Sequence, residues 1–215
     1  MAPEVPPADR GKPSIYEAPG RRVVVGGGIG AGKSAVCDVF AGRGYVVVSA
    51  DEVGHGLLAD DERTISRVAA LWPAAVSDGR VDRAALASVV FSDARSLEEL
   101  EQIMHPRIVE TIRSLVDSRP SEDIMIEIPL LPLVEATPFL MSAEFTRVAV
   151  VADDRTRLAR AVARGGDAAD IARRMNLQAA DRAWRSWADV VVDNSGPWSV
   201  TEATVVALIE GQKNA

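Results

Sequence analysis

Eight consecutive residues, Gly27-Gly28-Ile29-Gly30-Ala31-Gly32-Lys33-Ser34, match the spacing G-x-x-x-x-G-K-[ST]. Glycines let a backbone curl until successive N–H groups converge on phosphate oxygens, and a helix that follows presents its positive N-terminus to the same anion. A lysine at this position reaches the outer phosphates, and the hydroxyl beside it serves a magnesium ion. Gly28, Ile29, Gly30, Ala31, Gly32, Lys33, Ser34 and Ala35 are therefore the expected nucleotide-binding residues, with Lys33 also catalytic and Ser34 the Mg²⁺ ligand. Composition points to the same lysine. Among 24 basic residues only Lys12, Lys33 and Lys213 are not arginine, and two of these lie near the chain ends. A chain that prefers arginine keeps a compact ammonium where a forked guanidinium would not fit.

The loop alone does not choose among kinases, GTPases and motor ATPases. A GTPase needs a base-selecting Asn-Lys-x-Asp, and no lysine remains to make one. Transporters and helicases need an apolar run ending in Asp or Asp-Glu, whereas here Glu127 is followed by Ile128 and Pro129. A small-molecule kinase remains, with ATP as phosphoryl donor. Asp51 stands just after the second apolar run, where a carboxylate can orient an acceptor hydroxyl or take its proton. Ser49-x-x-Glu52 is equally a helix-capping box, with Asp51 serving the first turn's dipole. His55 reads by itself as a surface residue. His105-Pro106 reads as the opening of a helix, since proline suits a first helical position.

Residues 155–185 hold eight arginines against three aspartates, a local charge of +5. Arg157, Arg160 and Arg164 share one helical face, and Arg174 lies one turn before Gln178. So few interleaved acids predict an arm that closes over ATP rather than a solvated ion-paired face.

These residues need elements to hold them. Short apolar runs at 22–26, 45–49, 124–128, 147–152 and 189–193 suit strands buried on both faces. Helical patterns fill 33–43, parts of 51–119, 155–187 and 199–212. The alternation predicts an α/β fold, a five-stranded parallel sheet flanked by helices. About 75 residues separate the second and third strands, far beyond one crossover helix. The expected organisation is a core of 21–53, 123–154 and 188–215, a helical acceptor-binding insert at 54–122 and a lid at 155–187. Residues 1–20 carry five of twelve prolines and read as a disordered tail.

The whole chain has 215 residues, 47% hydrophobic, with a net charge of −7. That size buries a real core, and that charge opposes nucleic-acid or membrane-surface binding. A single cysteine, Cys37, excludes an intramolecular disulfide and reads as a small core residue. No 18-residue apolar run and no signal-like N-terminus appear, so the chain reads as soluble and cytoplasmic. Oligomeric state is left open.

Together these features resemble the dephospho-CoA kinase family over residues 22–210. The resemblance rests on GGIGAGKS at 27–34, Ala50-Asp51 with His55, His105-Pro106-x-Ile108, and Ile128-Pro129-Leu130-Leu131. It continues in Arg160-x-x-x-Arg164, Arg174-x-x-x-Gln178 and Ala188-Asp189 with Asn194. It implies a P-loop fold like that of the nucleoside-monophosphate kinases. The implied reaction is ATP-dependent phosphorylation of the ribose 3′-hydroxyl of dephospho-CoA, the last step of coenzyme A synthesis. Asp51 and Arg160 would join Lys33 as catalytic residues, and Arg160, Arg164, Arg174 and Asn194 would bind ATP. Asp51, His55, His105, Pro129, Leu130 and Leu131 would meet dephospho-CoA. The chain departs from the family's usual pattern at Ser49 (for Asp), Gly26 (for Thr), Glu127 (for Asp) and Arg157 (for Gln). Pro132-Leu133-Val134 lengthens the segment before Glu135. Another alcohol-directed kinase and a non-catalytic nucleotide-binding module share the loop; assay against several acceptors separates all three.

Overall fold

The computed structural model describes residues 19–213. The expected tail therefore lies outside the described residues but for its last two, and Gly20 donates its N–H to the Pro120 carbonyl at 2.9 Å.

Five strands form one parallel sheet: β1 (Arg22–Gly26), β2 (Val46–Ser49), β5 (Ile124–Ile128), β6 (Phe145–Val151) and β7 (Val190–Asp193), in the order β2-β5-β1-β6-β7. Both faces are covered, as the continuous apolar runs require. Alternation along each strand sorts the side chains. Val23, Val25, Met125, Val148 and Val150 pack with Val36, Cys37 and Phe40 of α1 (Lys33–Ala41) and Val205 and Ile209 of α10 (Trp198–Lys213). Val24, Ile126, Ile128, Ala149 and Val151 face the other way, onto a larger cluster that includes Ile108, Ile112, Trp184 and Trp187. Register pairs Ser49 with Glu127, Gly26 with Ile128 and with Ala149, and Val151 with Asp193. All five carboxyl ends thus lie along one edge, the edge where open α/β sheets bind ligands.

Between β2 and β5 run α2 (Ala50–Asp60), α3 (Glu62–Leu71), a 3-10 turn (Pro73–Ala75), the hairpin β3 (Val76–Ser77) and β4 (Arg80–Val81), α4 (Arg83–Val90) and α5 (Ala94–Asp117). This segment has a core of its own, from Val68, Trp72, Ala75, Leu86, Val90 and Ile103. Each helix begins on a side-chain cap: Ser49, Asp61, Asp82 and Asp93.

His105-Pro106 does not open a helix, contrary to the sequence reading. It lies midway along the 24-residue α5, whose start is set by the Asp93 cap. Pro106 forfeits one backbone hydrogen bond. Burial of Ile103, Met104, Ile108, Ile112 and Val116 along one stripe outweighs that loss.

After β5 a short helix absent from the sequence reading, α6 (Leu131–Glu135), packs Leu131, Leu133 and Val134 into the larger cluster. The arginine-rich segment divides into α7 (Asp154–Ala163), α8 (Ala168–Leu177) and α9 (Asp181–Trp187). The first division falls at Gly165, in a left-handed conformation with φ 93°. Trp184 and Trp187 stack edge to face at 5.5 Å and root this arm in the core. Cys37 is buried, and burial pushes its thiol up to about 12. No helix among the described residues is long and apolar enough to cross a membrane.

Candidate nucleotide-binding site

The loop between β1 and α1 curls through two left-handed glycines, Gly30 (φ 76°) and Gly32 (φ 98°). Neither position accepts a side chain. A Cβ on residue 30 would meet the Arg157 carbonyl oxygen at 2.2 Å, and one on residue 32 would meet Asn194 Nδ2 at 2.2 Å. Inside the loop, the Ala31 N–H donates to the Gly28 carbonyl at 3.2 Å. Outside it, Asn194 Nδ2 donates to the Ala31 carbonyl at 2.9 Å and Arg157 Nε donates to the Ile29 carbonyl at 2.9 Å. The Ile29 N–H donates to Gln178 Oε1 at 2.8 Å. Asn194 itself is buried, and its Oδ1 accepts from Thr201 Oγ1 at 2.9 Å. Both ends of its amide are thus engaged by protein.

Lys33 lies in the first turn of α1. Its Nζ stands 3.6 Å from Glu127 Oε1 and donates to the Gly28 carbonyl at 3.5 Å. Burial pushes the Lys33 ammonium below its ordinary pKa, while the nearby charges of Glu127 and Asp51 work against that shift. Glu127 reaches the lysine by strand parity. In Ile124-Met125-Ile126-Glu127-Ile128, residues 125 and 127 project toward α1 and the three isoleucines project away. The second Glu127 oxygen accepts from Ser49 Oγ at 3.3 Å. Ser49 also caps α2, accepting the Glu52 N–H at 3.4 Å. Asp51 is exposed in that first turn, beside the Ser49 cap that the capping pattern predicts.

Arg157, Arg160 and Arg164 differ sharply in burial. Arg157 is 4% exposed and bridges Asp154 Oδ1 and Asp181 Oδ1, each at 3.2 Å. Arg160 is half-buried, with an Nη1 that is shielded from solvent and has no partner among the described residues. Arg164 and Arg174 are exposed. The arm carries more ion pairs than its sequence suggested. Arg157, Arg173 and Arg185 all pair with aspartates, the last with Asp193 on β7.

His55 lies exposed on α2, and its Nε2 is 2.7 Å from Arg83 Nη2 at the start of α4. His105 is half-buried in α5, and burial holds its pKa below the ordinary histidine value. Pro129 is half-buried and Leu130 exposed at the end of β5, while Leu131 sits in the core at 3% exposure. Loop, Lys33, Ser34, Asp51 and Asn194 gather at the sheet's carboxyl edge, and both histidines belong to the insert. Neither Glu127 nor Arg157 is among the site residues expected from the sequence. The parity of β5 could have found Glu127. Nothing local could have found Arg157, whose partner Asp181 lies 24 residues away.

A family model described as dephospho-CoA kinase matches residues 22–199. The chain belongs to the dephospho-CoA kinase family. It is 37% identical over 183 residues to a dephospho-CoA kinase of Frankia casuarinae, covering 83% of this chain and 78% of that relative. A crystal structure titled TT1252 from Thermus thermophilus superposes with a TM-score of 0.73 at 28% identity, over 89% of this chain and 98% of the other. A dephospho-CoA kinase from Campylobacter jejuni has the same fold, with a TM-score of 0.67 at 19% identity, over 90% and 98%. Membership in this family makes the chain a kinase that uses ATP on a small-molecule acceptor.

Proposed function

We propose that this chain transfers the γ-phosphoryl group of ATP to the ribose 3′-hydroxyl of dephospho-CoA, giving coenzyme A and ADP. One observation carries the reading. In a chain of this family, a glycine loop places Lys33 against Glu127 at the same sheet edge that carries Asp51. Phosphoryl transfer asks chiefly for positioning and charge neutralisation. The loop amides and Lys33 hold the β- and γ-phosphates. Asp51 aligns the acceptor hydroxyl and takes up its proton as the new P–O bond forms. Arg160 and Arg164 neutralise the phosphoryl oxygens as the arm of α7–α9 closes as a lid, while the segment α2–α5 binds the acceptor. In that reading Arg174 also reaches the nucleotide, and His55, His105, Pro129 and Leu130 line the acceptor's path.

A magnesium ion fits the residues present. Ser34 offers a hydroxyl beside Lys33, and Glu127, Ser49 and Asp51 supply oxygens nearby. No group of three or more His, Cys, Asp or Glu able to cage a metal exists among the described residues. The ion would therefore be held largely by the nucleotide's own phosphates, as Mg²⁺ commonly is. Bound there, it would offset the charge of the β- and γ-phosphate oxygens. A cytoplasmic location, where ATP is abundant, accords with this activity.

The test is ADP release by the purified chain with MgATP against dephospho-CoA, adenosine, AMP and shikimate. Rapid release with dephospho-CoA alone is expected. Faster release with another acceptor overturns the substrate, and no release with any acceptor overturns the enzyme.

A further inference from the structure

Arg157 stands where the family commonly has Gln, and its guanidinium is placed with unusual economy. Nε donates to the Ile29 carbonyl at 2.9 Å, and Nη1 bridges Asp154 and Asp181. Nη2 is buried without a hydrogen-bond partner among the described residues. It lies against Gly28, where a Cβ would come within 2.2 Å. A buried cation built this tightly into a loop needs a reason, because burying charge is costly unless the geometry is used.

The reason lies in the peptide between Ile29 and Gly30. A trans peptide is planar, and its C=O and N–H point in opposite directions. Holding the Ile29 oxygen from outside therefore fixes the Gly30 N–H on the inside of the curl. Gly30 is buried, and its N–H has no acceptor among the described residues. Asn194 does the same one turn of the loop later. Its amide holds the Ala31 oxygen and so directs the Gly32 N–H inward.

We infer that Arg157 is a positioning residue of the phosphate loop: it clamps the Ile29 carbonyl so that the Gly30 N–H faces the nucleotide's phosphates, and Asp181 of α9 holds the clamp. This rests on the phosphate-binding reading of the loop and not on the identity of the acceptor. The clamp also wires the third helix of the arm to the nucleotide, since Asp181 belongs to the same short helix as Trp184.

The experiment uses ADP as probe on the full chain. Calorimetry gives its affinity, and the Gly30 amide resonance reports the hydrogen bond directly. Arg157→Met should weaken ADP binding at least tenfold and shrink the shift of the Gly30 amide on adding ADP. Because that variant leaves the half-buried Asp181 carboxylate without its cation, Arg157→Met/Asp181→Asn is measured beside it. The double variant should regain thermal stability and keep the weak ADP binding. Arg157→Lys keeps the charge but not the fork, and should restore less than half of the lost affinity on a logarithmic scale. Wild-type ADP affinity in the double variant, or an unchanged Gly30 shift in Arg157→Met, overturns the inference. Failure of the acceptor assay would leave these ADP readings standing, so the two conclusions fail separately.

Discussion

Lys33 meets two opposed demands. In the role proposed for it the ammonium must be charged to hold phosphate, yet it is placed where burial disfavours charge, and Glu127 and Asp51 recover only part of that cost. A lysine pKa lowered by folding means that the unfolded chain binds more protons between the folded value and the ordinary 10.5. Stability from this group therefore rises as pH climbs through that window, and below it the penalty is present in full. Replacing Lys33 by Met together with Glu127 by Gln, so that no carboxylate loses its cation, should abolish turnover while raising the melting temperature at pH 7, as calorimetric melting would show. A melting temperature below the wild-type value would mean that the lysine is structural. Asp51 makes the complementary case. It is exposed and accepts no side-chain hydrogen bond among the described residues, so Asp51→Asn should leave folding and nucleotide affinity intact. Turnover should fall at least tenfold, which steady-state kinetics with separately measured ATP binding would establish. Turnover within twofold of wild type would remove Asp51 from the chemistry.

At the scale of elements, much was legible in sequence because strands buried on both faces write a continuous apolar signal. The five strands, their parallel direction and the helix after the phosphate loop were all readable from short β-branched runs and a glycine motif, whereas the order of the strands was not. What escaped were features set by partners distant in the chain. Pro106 carries a strong start signal, yet tertiary burial of Ile103 and Ile108 on either side of it kept the helix continuous. Arg157 read as one of a row of arginines on an arm closing over ATP, whereas Asp181 and Ile29 engage it inside the protein. Gly26 is the clearest instance. Its glycine follows from Trp184, since a Cβ at residue 26 would come within 2.1 Å of that indole's Cζ3. Gly26→Thr, which restores the family's usual residue, should therefore destabilise this chain by about 1–3 kcal/mol through overpacking. Trp184→Leu should also destabilise it, by about 2–5 kcal/mol through the cavity it leaves. In combination the two changes should cost at least about 1 kcal/mol less than their sum, because one relieves the other. Urea denaturation of the four proteins closes that cycle, and strict additivity would mean that Gly26 and Trp184 do not share the space.

The molecule as a whole distributes its charge so that acid attacks the insert and the arm together. Asp61, Asp93 and Asp153 cap α3, α5 and α7, and hydrogen bonds hold their carboxyls below the ordinary value, Asp61 at about 2 through Thr64 and Arg107. Asp189 and Asp193 are lowered likewise, chiefly by Arg147 and by Ser195 with Arg185. For such groups the unfolded chain binds protons first, so their stabilisation is present above the ordinary value of 3.8 and is lost as pH falls toward 2. His105 acts earlier. Burial lowers its pKa from 6.5, so the unfolded chain again takes the proton first and stability starts to fall below pH 6.5. Asp181 opposes both, since its carboxyl is raised by burial and it gains a proton in the folded state first. The melting temperature should therefore decline gently below pH 6.5 and steeply below pH 4. His105→Asn should flatten the first slope and leave the second. Asp61→Asn, which can still cap α3 through its amide oxygen, should flatten only the second, and the ellipticity of α3–α5 should survive to lower pH. Melting scans of the three proteins from pH 7 to pH 3 decide it. Parallel curves throughout would place the acid sensitivity outside His105 and Asp61.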